Sequence, residues 1–139
     1  MSRLTIATVA MLVSCHCLMA QSSNAATAKQ QLAVKAYAAT LQSEHQSVRN
    51  SAIFRTMQLH ARFPELDISP LLVELQKLSS TDESLTNRLY AFLAMSFLTD
   101  STLKARLVAP PQSEEDKDEY FAQLQQIYAS VGMIAAESR

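Results

Sequence analysis

Cysteine and histidine are the side chains best suited to metal or nucleophilic chemistry, and three of the five in this chain sit together as Cys15-His16-Cys17. At first glance the run looks like a metal-binding fragment. Consecutive ligands are too close for the usual zinc spacing, however, and no second ligand pair follows. His45 and His60 have no Asp or Glu four residues on, so neither carries the helical spacing of a shared metal site. The densest charge is the acidic run Glu114, Glu115, Asp116, Asp118 and Glu119. It lacks the glycine and the alternating Asp/Asn pattern of a calcium loop, and is expected to be a solvated helix start. With a single glycine, the chain has no nucleophile elbow, phosphate loop or dinucleotide fingerprint. These residues predict a protein that is not an enzyme, with no catalytic residues, no cofactor and no metal.

Both cysteines fall inside a segment ordered like a secretory signal: Arg3, then apolar residues from Leu4 to Val13, then small residues up to Ala20. The apolar core is about half of the roughly 20 residues that a membrane-spanning helix needs. Cleavage after Ala20 would make Gln21 the first residue and remove every cysteine, leaving no disulfide framework. A cut after Ala28 has better small residues but lies far from the apolar core. In a second route, Leu12-Val13-Ser14-Cys15 resembles a lipoprotein box; Cys15 would then be acylated and tether the chain to a membrane. An uncleaved anchor is a third possibility. The expectation is export to the periplasm or beyond, with membrane attachment only through a lipidated Cys15.

The elements that follow are helical in composition. One glycine and four prolines leave too few turn residues for hairpins or sandwiches, and Ala, Leu, Gln, Glu, Met and Lys favour helices. The formal net charge is −1, and its cations are scattered, so no nucleic-acid footprint is expected. The predicted organisation is a signal peptide over 1–20, a flexible tether over 21–26, helices over 27–109 and a C-terminal capping helix over 110–139. Apolar spacing places helices near 27–42, 48–62, 69–78, 83–98 and 101–107, with a last one from Ser113. Ser47 and Ser69 are the expected caps of the second and third. Leu32, Ala36 and Ala39 are the expected inner face of the first. The fourth is apolar almost all round from Leu89 to Leu98, which predicts a central position. Tyr120, Leu124, Ile127, Val131 and Ile134 form a narrow stripe on the last, which either docks on the domain or forms a short seam for a partner helix.

A spacing of 39 residues relates two parts of the chain: Leu32, Ala36 and Ala39 align with Leu71, Leu75 and Leu78, and Glu44, Ser47, Arg49, Ala52 and Leu59 with Glu83, Thr86, Arg88, Ala91 and Leu98. Two helices per unit at a period near 40 is a solenoid signature. Ser47-Val48-Arg49-Asn50-Ser51-Ala52 resembles the start of a HEAT-type (armadillo-like) repeat. Thr86-Asn87-Arg88-Leu89-Tyr90-Ala91 is a second copy, with Asn87 where an apolar residue is usual. The resemblance covers residues 30–98; Ile127 and Ser130 break the pattern for a third unit. It implies an all-α, short α-solenoid-like stack of antiparallel helix pairs. It also implies a binding role, with a protein partner docking on a surface supported by the second and fourth helices. A compact bundle whose pairs match by chance is the alternative architecture. The alternative functions are an envelope lipoprotein with a structural role, and a small periplasmic inhibitor or chaperone-like factor. Arg49 and Arg88 are equivalent cations, expected either to pair with acids in the adjoining turns, such as Glu44 and Glu83, and knit one unit to the next, or to face a partner.

Overall fold

The computed structural model describes residues 28–137, with side chains as far as 131. The leader over 1–20, Cys15, the Cys15-His16-Cys17 run, the tether over 21–26 and the side chain of Ile134 lie outside the described residues. Contacts divide the chain into two units, Met1–Ala33 and Val34–Arg139. The first is described only over 28–33, which are helical.

The fold is all α: the described residues form six helices and no strand. A helix α1 runs over 28–41, followed by α2 Gln46–Arg62, α3 Ser69–Thr81, α4 Leu85–Thr99, α5 Ser101–Arg106 and α6 Lys117–Glu137. Within the second unit α4 is central, packing against α2, α3, α5 and α6, as its apolar circumference predicts. Its Ala91, Leu93, Ala94, Phe97 and Leu98 are buried. Helix α2 buries every residue from Ala52 to Leu59 except Arg55.

Several local features differ from the sequence expectation. In α1, Leu32, Ala36 and Ala39 are exposed, and Val34 and Leu41, seven residues apart, are the buried positions. The larger side chains at 34 and 41 hold the inner face, where they offer more apolar area than two alanines. The buried pair therefore matches Leu71 and Leu78 of α3 at a spacing of 37 rather than 39. His45, not Ser47, is the residue before α2, and it makes no side-chain cap. At α3 the capping oxygen belongs to Asp67, whose Oδ1 accepts from the Ser69 amide at 3.0 Å and from Ser69 Oγ at 2.6 Å. Pro70 occupies the first turn, where no amide partner is needed. Helix α3 also runs through Ser79-Ser80-Thr81, which reads as a turn by composition. All three hydroxyls bond back to carbonyls one turn earlier, Gln76 twice and Lys77 once, so helix formation costs them no hydrogen bond.

Helix α6 starts at Lys117 rather than Ser113. Ser113 Oγ accepts from the Glu115 amide at 3.1 Å, closing a local turn ahead of the helix. The segment between α5 and α6 is pinned on both sides: Gln58 Nε2 donates to the Pro111 carbonyl, Arg55 Nε pairs with Glu114 at 3.1 Å, and the Tyr120 hydroxyl donates to the Val108 carbonyl at 3.2 Å. These ties set α6 so that Tyr120, Phe121 and Leu124 enter the core. Phe121 stacks on Tyr90 of α4 with centroids 3.9 Å apart and planes 10° from parallel, and it meets Phe54 of α2 at 6.1 Å. The predicted stripe on α6 thus docks on the unit's own core through its first half. Ile127 and Val131 are half-buried and Tyr128 is exposed.

Candidate functional site

The turn before α2 and the turn before α4 are joined by a polar cluster centred on Asp82 and Asn87. Asp82 precedes the Ser84 cap of α4, and its side chain is 0 % exposed. Its carboxylate grips Arg49 with two hydrogen bonds, Nε to Oδ2 at 2.6 Å and Nη2 to Oδ1 at 3.0 Å. The third nitrogen, Nη1, donates to the carbonyls of Ser43 at 2.8 Å and Glu44 at 2.9 Å. The Ser84 amide donates to Asp82 Oδ1 at 2.8 Å, so the same carboxylate shapes the entry to α4. The Arg49 hydrogen bonds, the Ser84 amide and Asn87 hold the Asp82 carboxyl below the usual carboxylate range, against the opposing effect of burial. Arg49 is raised in turn, chiefly by its hydrogen bond to Asp82.

Asn87 is fully buried on α4. Its Oδ1 accepts from Asn50 Nδ2 of α2 at 2.9 Å, and its Nδ2 donates to the Gln46 carbonyl at 3.2 Å and toward Asp82 Oδ2 at 3.4 Å. Gln46 Nε2 adds a bond to Ser84 Oγ at 3.0 Å. A buried amide with all of these partners costs little, whereas an apolar replacement strands them. Asn87→Leu is therefore expected to lower stability by about 2 kcal/mol in urea unfolding, even though the residue 39 positions earlier is the apolar Val48. A neutral or stabilising result would show that the Asn87 hydrogen bonds contribute nothing to the join.

Of the residues singled out by the sequence, Arg49 is brought to Asp82, with Glu44 contributing its backbone carbonyl. Glu83 and the Glu44 side chain are exposed. Arg88 repeats part of the Arg49 geometry: its Nη1 donates to the Asp82 carbonyl at 3.0 Å, just as Arg49 Nη1 donates to Ser43, the residue 39 earlier. Beside the cluster lies an open groove of about 540 Å³ lined by Gln42, Glu44, Glu74, Lys77, Thr81 and Glu83, bridged by a 2.8 Å bond from Gln42 Nε2 to Glu74. Sequence reasoning did not single out Asp82; the available signal was its place two residues before a serine that caps an apolar helix.

The cluster holds charge in place and offers no proton near neutrality: its acid stays ionised and its base stays protonated. Tyr90 and Tyr120 are both pushed up to about 12, in each case first by burial, and Tyr90 also by its 3.0 Å bond to Asp118. They therefore remain phenols that donate. Among the described residues, no group of three His, Cys, Asp or Glu side chains is placed to hold a metal, and no helix is long and apolar enough to cross a membrane.

The opposite feature is an uncovered apolar stripe on α4. Leu85, Leu89 and Phe92 recur at four- and three-residue spacing, which puts them on one helical face, and they are 73 %, 38 % and 36 % exposed. The all-round burial expected of α4 therefore stops at this face. Tyr128 of α6 joins it edge-on, its ring centroid 5.2 Å from that of Phe92. Apart from Arg88, α4 carries no charge, and α6 carries none from Tyr120 to Ala136. No family model, no curated protein and no solved structure matches the chain.

Proposed function

We propose that this chain is an exported, non-enzymatic protein-binding or assembly module, built as a short HEAT-like stack of two helix pairs, α1–α2 and α3–α4, with α6 as its cap. The observation that carries the reading is the stripe Leu85–Leu89–Phe92. A helix that already buries one face against four neighbours keeps a second apolar face open, and α6 extends that face with Tyr128. Contiguous exposed apolar residues around an aromatic are the usual centre of a protein–protein contact, with polar residues at the rim. The cluster at Arg49, Asp82 and Asn87 supports the stacked arrangement, because it fixes the turn of one pair on the turn of the next. The cation positions recur at the repeat spacing with the same carbonyl contact.

The reading is tested by isolating the exported chain from its native host alongside a Leu89→Glu/Phe92→Glu variant. A specific partner is expected with the native chain and reduced more than about tenfold with the variant, the loss typical of removing a central apolar anchor. Both chains should retain the same helical circular dichroism, since the replaced residues are on the open face. The same partners at the same yield on both would contradict the assignment of the stripe.

A further inference from the structure

We propose that His60 and Lys104 form a pH-sensitive latch that fastens α5 to α2 above about pH 6.5 and releases it on acidification. His60 lies in the last turn of α2 and Lys104 in the six-residue helix α5. Lys104 Nζ stands 3.2 Å from His60 Nε2. An ammonium has only hydrogens to offer, so Nε2 must be the acceptor and the ring must be neutral with its proton on Nδ1. Nδ1 is buried and has no partner. The neutral ring therefore makes one bond, to the lysine, and a second proton would remove that bond and set two cations in contact.

The surroundings offer the imidazolium no compensation. On its own helix, Arg62 lies over the Phe63 ring at 5.6 Å. Helix α5 brings Lys104 and Arg106, both cations. The single charge on α4, Arg88, is bonded to the Asp82 carbonyl. Asp100, at the α4–α5 junction, accepts from the amides of Thr102 and Leu103 as the cap of α5. In the segment that follows α5, Glu114 pairs with Arg55, and in the first turn of α6 Asp118 accepts from Tyr90. Among the described residues no carboxylate forms an ion pair with the ring. Burial, followed by the charge of Lys104, depresses the basicity of His60.

The sign follows from linkage: a histidine less basic when folded contributes stability above its unfolded value near 6.5, and that contribution is lost as pH falls toward the folded value. Helix α5 is six residues long, buries a single side chain, Leu103, and packs on α4 and α6; the His60–Lys104 contact is what ties it to α2, and it is the element that yields.

Amide hydrogen exchange across 101–107, corrected for intrinsic rates, reads the latch directly. In the full chain, protection of α5 is expected to fall by up to about tenfold per pH unit below 6.5, while the centre of α4 is unchanged. His60→Gln keeps an acceptor for Lys104 without titrating, and should abolish the pH dependence of α5. Flat protection in the native chain, or an undiminished slope in His60→Gln, overturns the proposal. The native chain supplies a second readout that needs no variant. The His60 ring titration by NMR should have its midpoint below 6.5, where the loss of α5 protection levels off; a midpoint at or above 6.5 overturns it as well.

Discussion

Phe121→Ala is expected to remove about 4 kcal/mol of stability, the largest single effect of any substitution considered for this chain. Phe121 is 1 % exposed and sits between Tyr90 of α4 and Phe54 of α2. Its loss opens a cavity at the point where α6 meets the other helices. Transfer of the ring and the unfilled space each contribute, and the stacked and tilted aromatic contacts add roughly 0.5–1.5 kcal/mol apiece. The neighbours have little freedom to close the gap, because Tyr90 is held by Asp118 and Tyr120 by the Val108 carbonyl. Phe121→Leu keeps most of the apolar volume but loses both aromatic contacts, and should cost about 2 kcal/mol, roughly half the alanine effect. Guanidinium unfolding monitored by circular dichroism separates the two. A loss under about 1 kcal/mol for the alanine variant would mean that α6 is an appendage rather than part of the core.

Asp82→Ala should cost about 3 kcal/mol, for a different physical reason. The carboxylate is the acceptor for two Arg49 nitrogens, the Ser84 amide and Asn87 Nδ2. Removing one partner of a buried charge pair leaves the other uncompensated, which is why the loss exceeds the net contribution of the pair. Arg49 is 13 % exposed at its side chain, so water reaches it in part, and the expected loss sits at the lower end for buried pairs. The pH dependence carries an independent signature. Because the folded-state carboxyl titrates below its ordinary value of 3.8, its contribution is complete above that value and disappears as pH falls through the folded one. Asp82→Asn should therefore weaken the protein at pH 7 and flatten the acid limb of its stability curve. An unchanged acid limb would show that Asp82 is not the carboxyl that links the two turns.

Much of the helical layout is legible in the chain because it rests on side-chain spacing and on punctuation. Pro70 and Asp67 mark the start of α3, and Pro64 follows the end of α2. The shortage of glycine excludes strands built on tight turns. What is not legible depends on competition. Ser79, Ser80 and Thr81 favour a turn by composition and a helix once their hydroxyls find carbonyls one turn back. Leu32 looks as suitable for the core as Val34 until the positions of Val34 and Leu41 show which face the rest of α1 can bury. Arg49 announces a cation at a repeat position, but its choice of Asp82 over Glu44 or Glu83 is settled by which oxygen lies between the two turns. Asn87 reads as a flaw in an apolar pattern and becomes intelligible only beside Asn50, 37 residues earlier. The stripe at Leu85, Leu89 and Phe92 carries a helical period like any core stripe, and only packing distinguishes an inner face from one left open.

The claim that α4 presents a docking face is tested most directly by photocrosslinking in the native host. A photoreactive phenylalanine analogue placed at Phe92 should give one discrete protein adduct. The same analogue at Val73, which is 66 % exposed on α3, should give none. Adducts of the same mass from both positions, or none from either, would contradict the account.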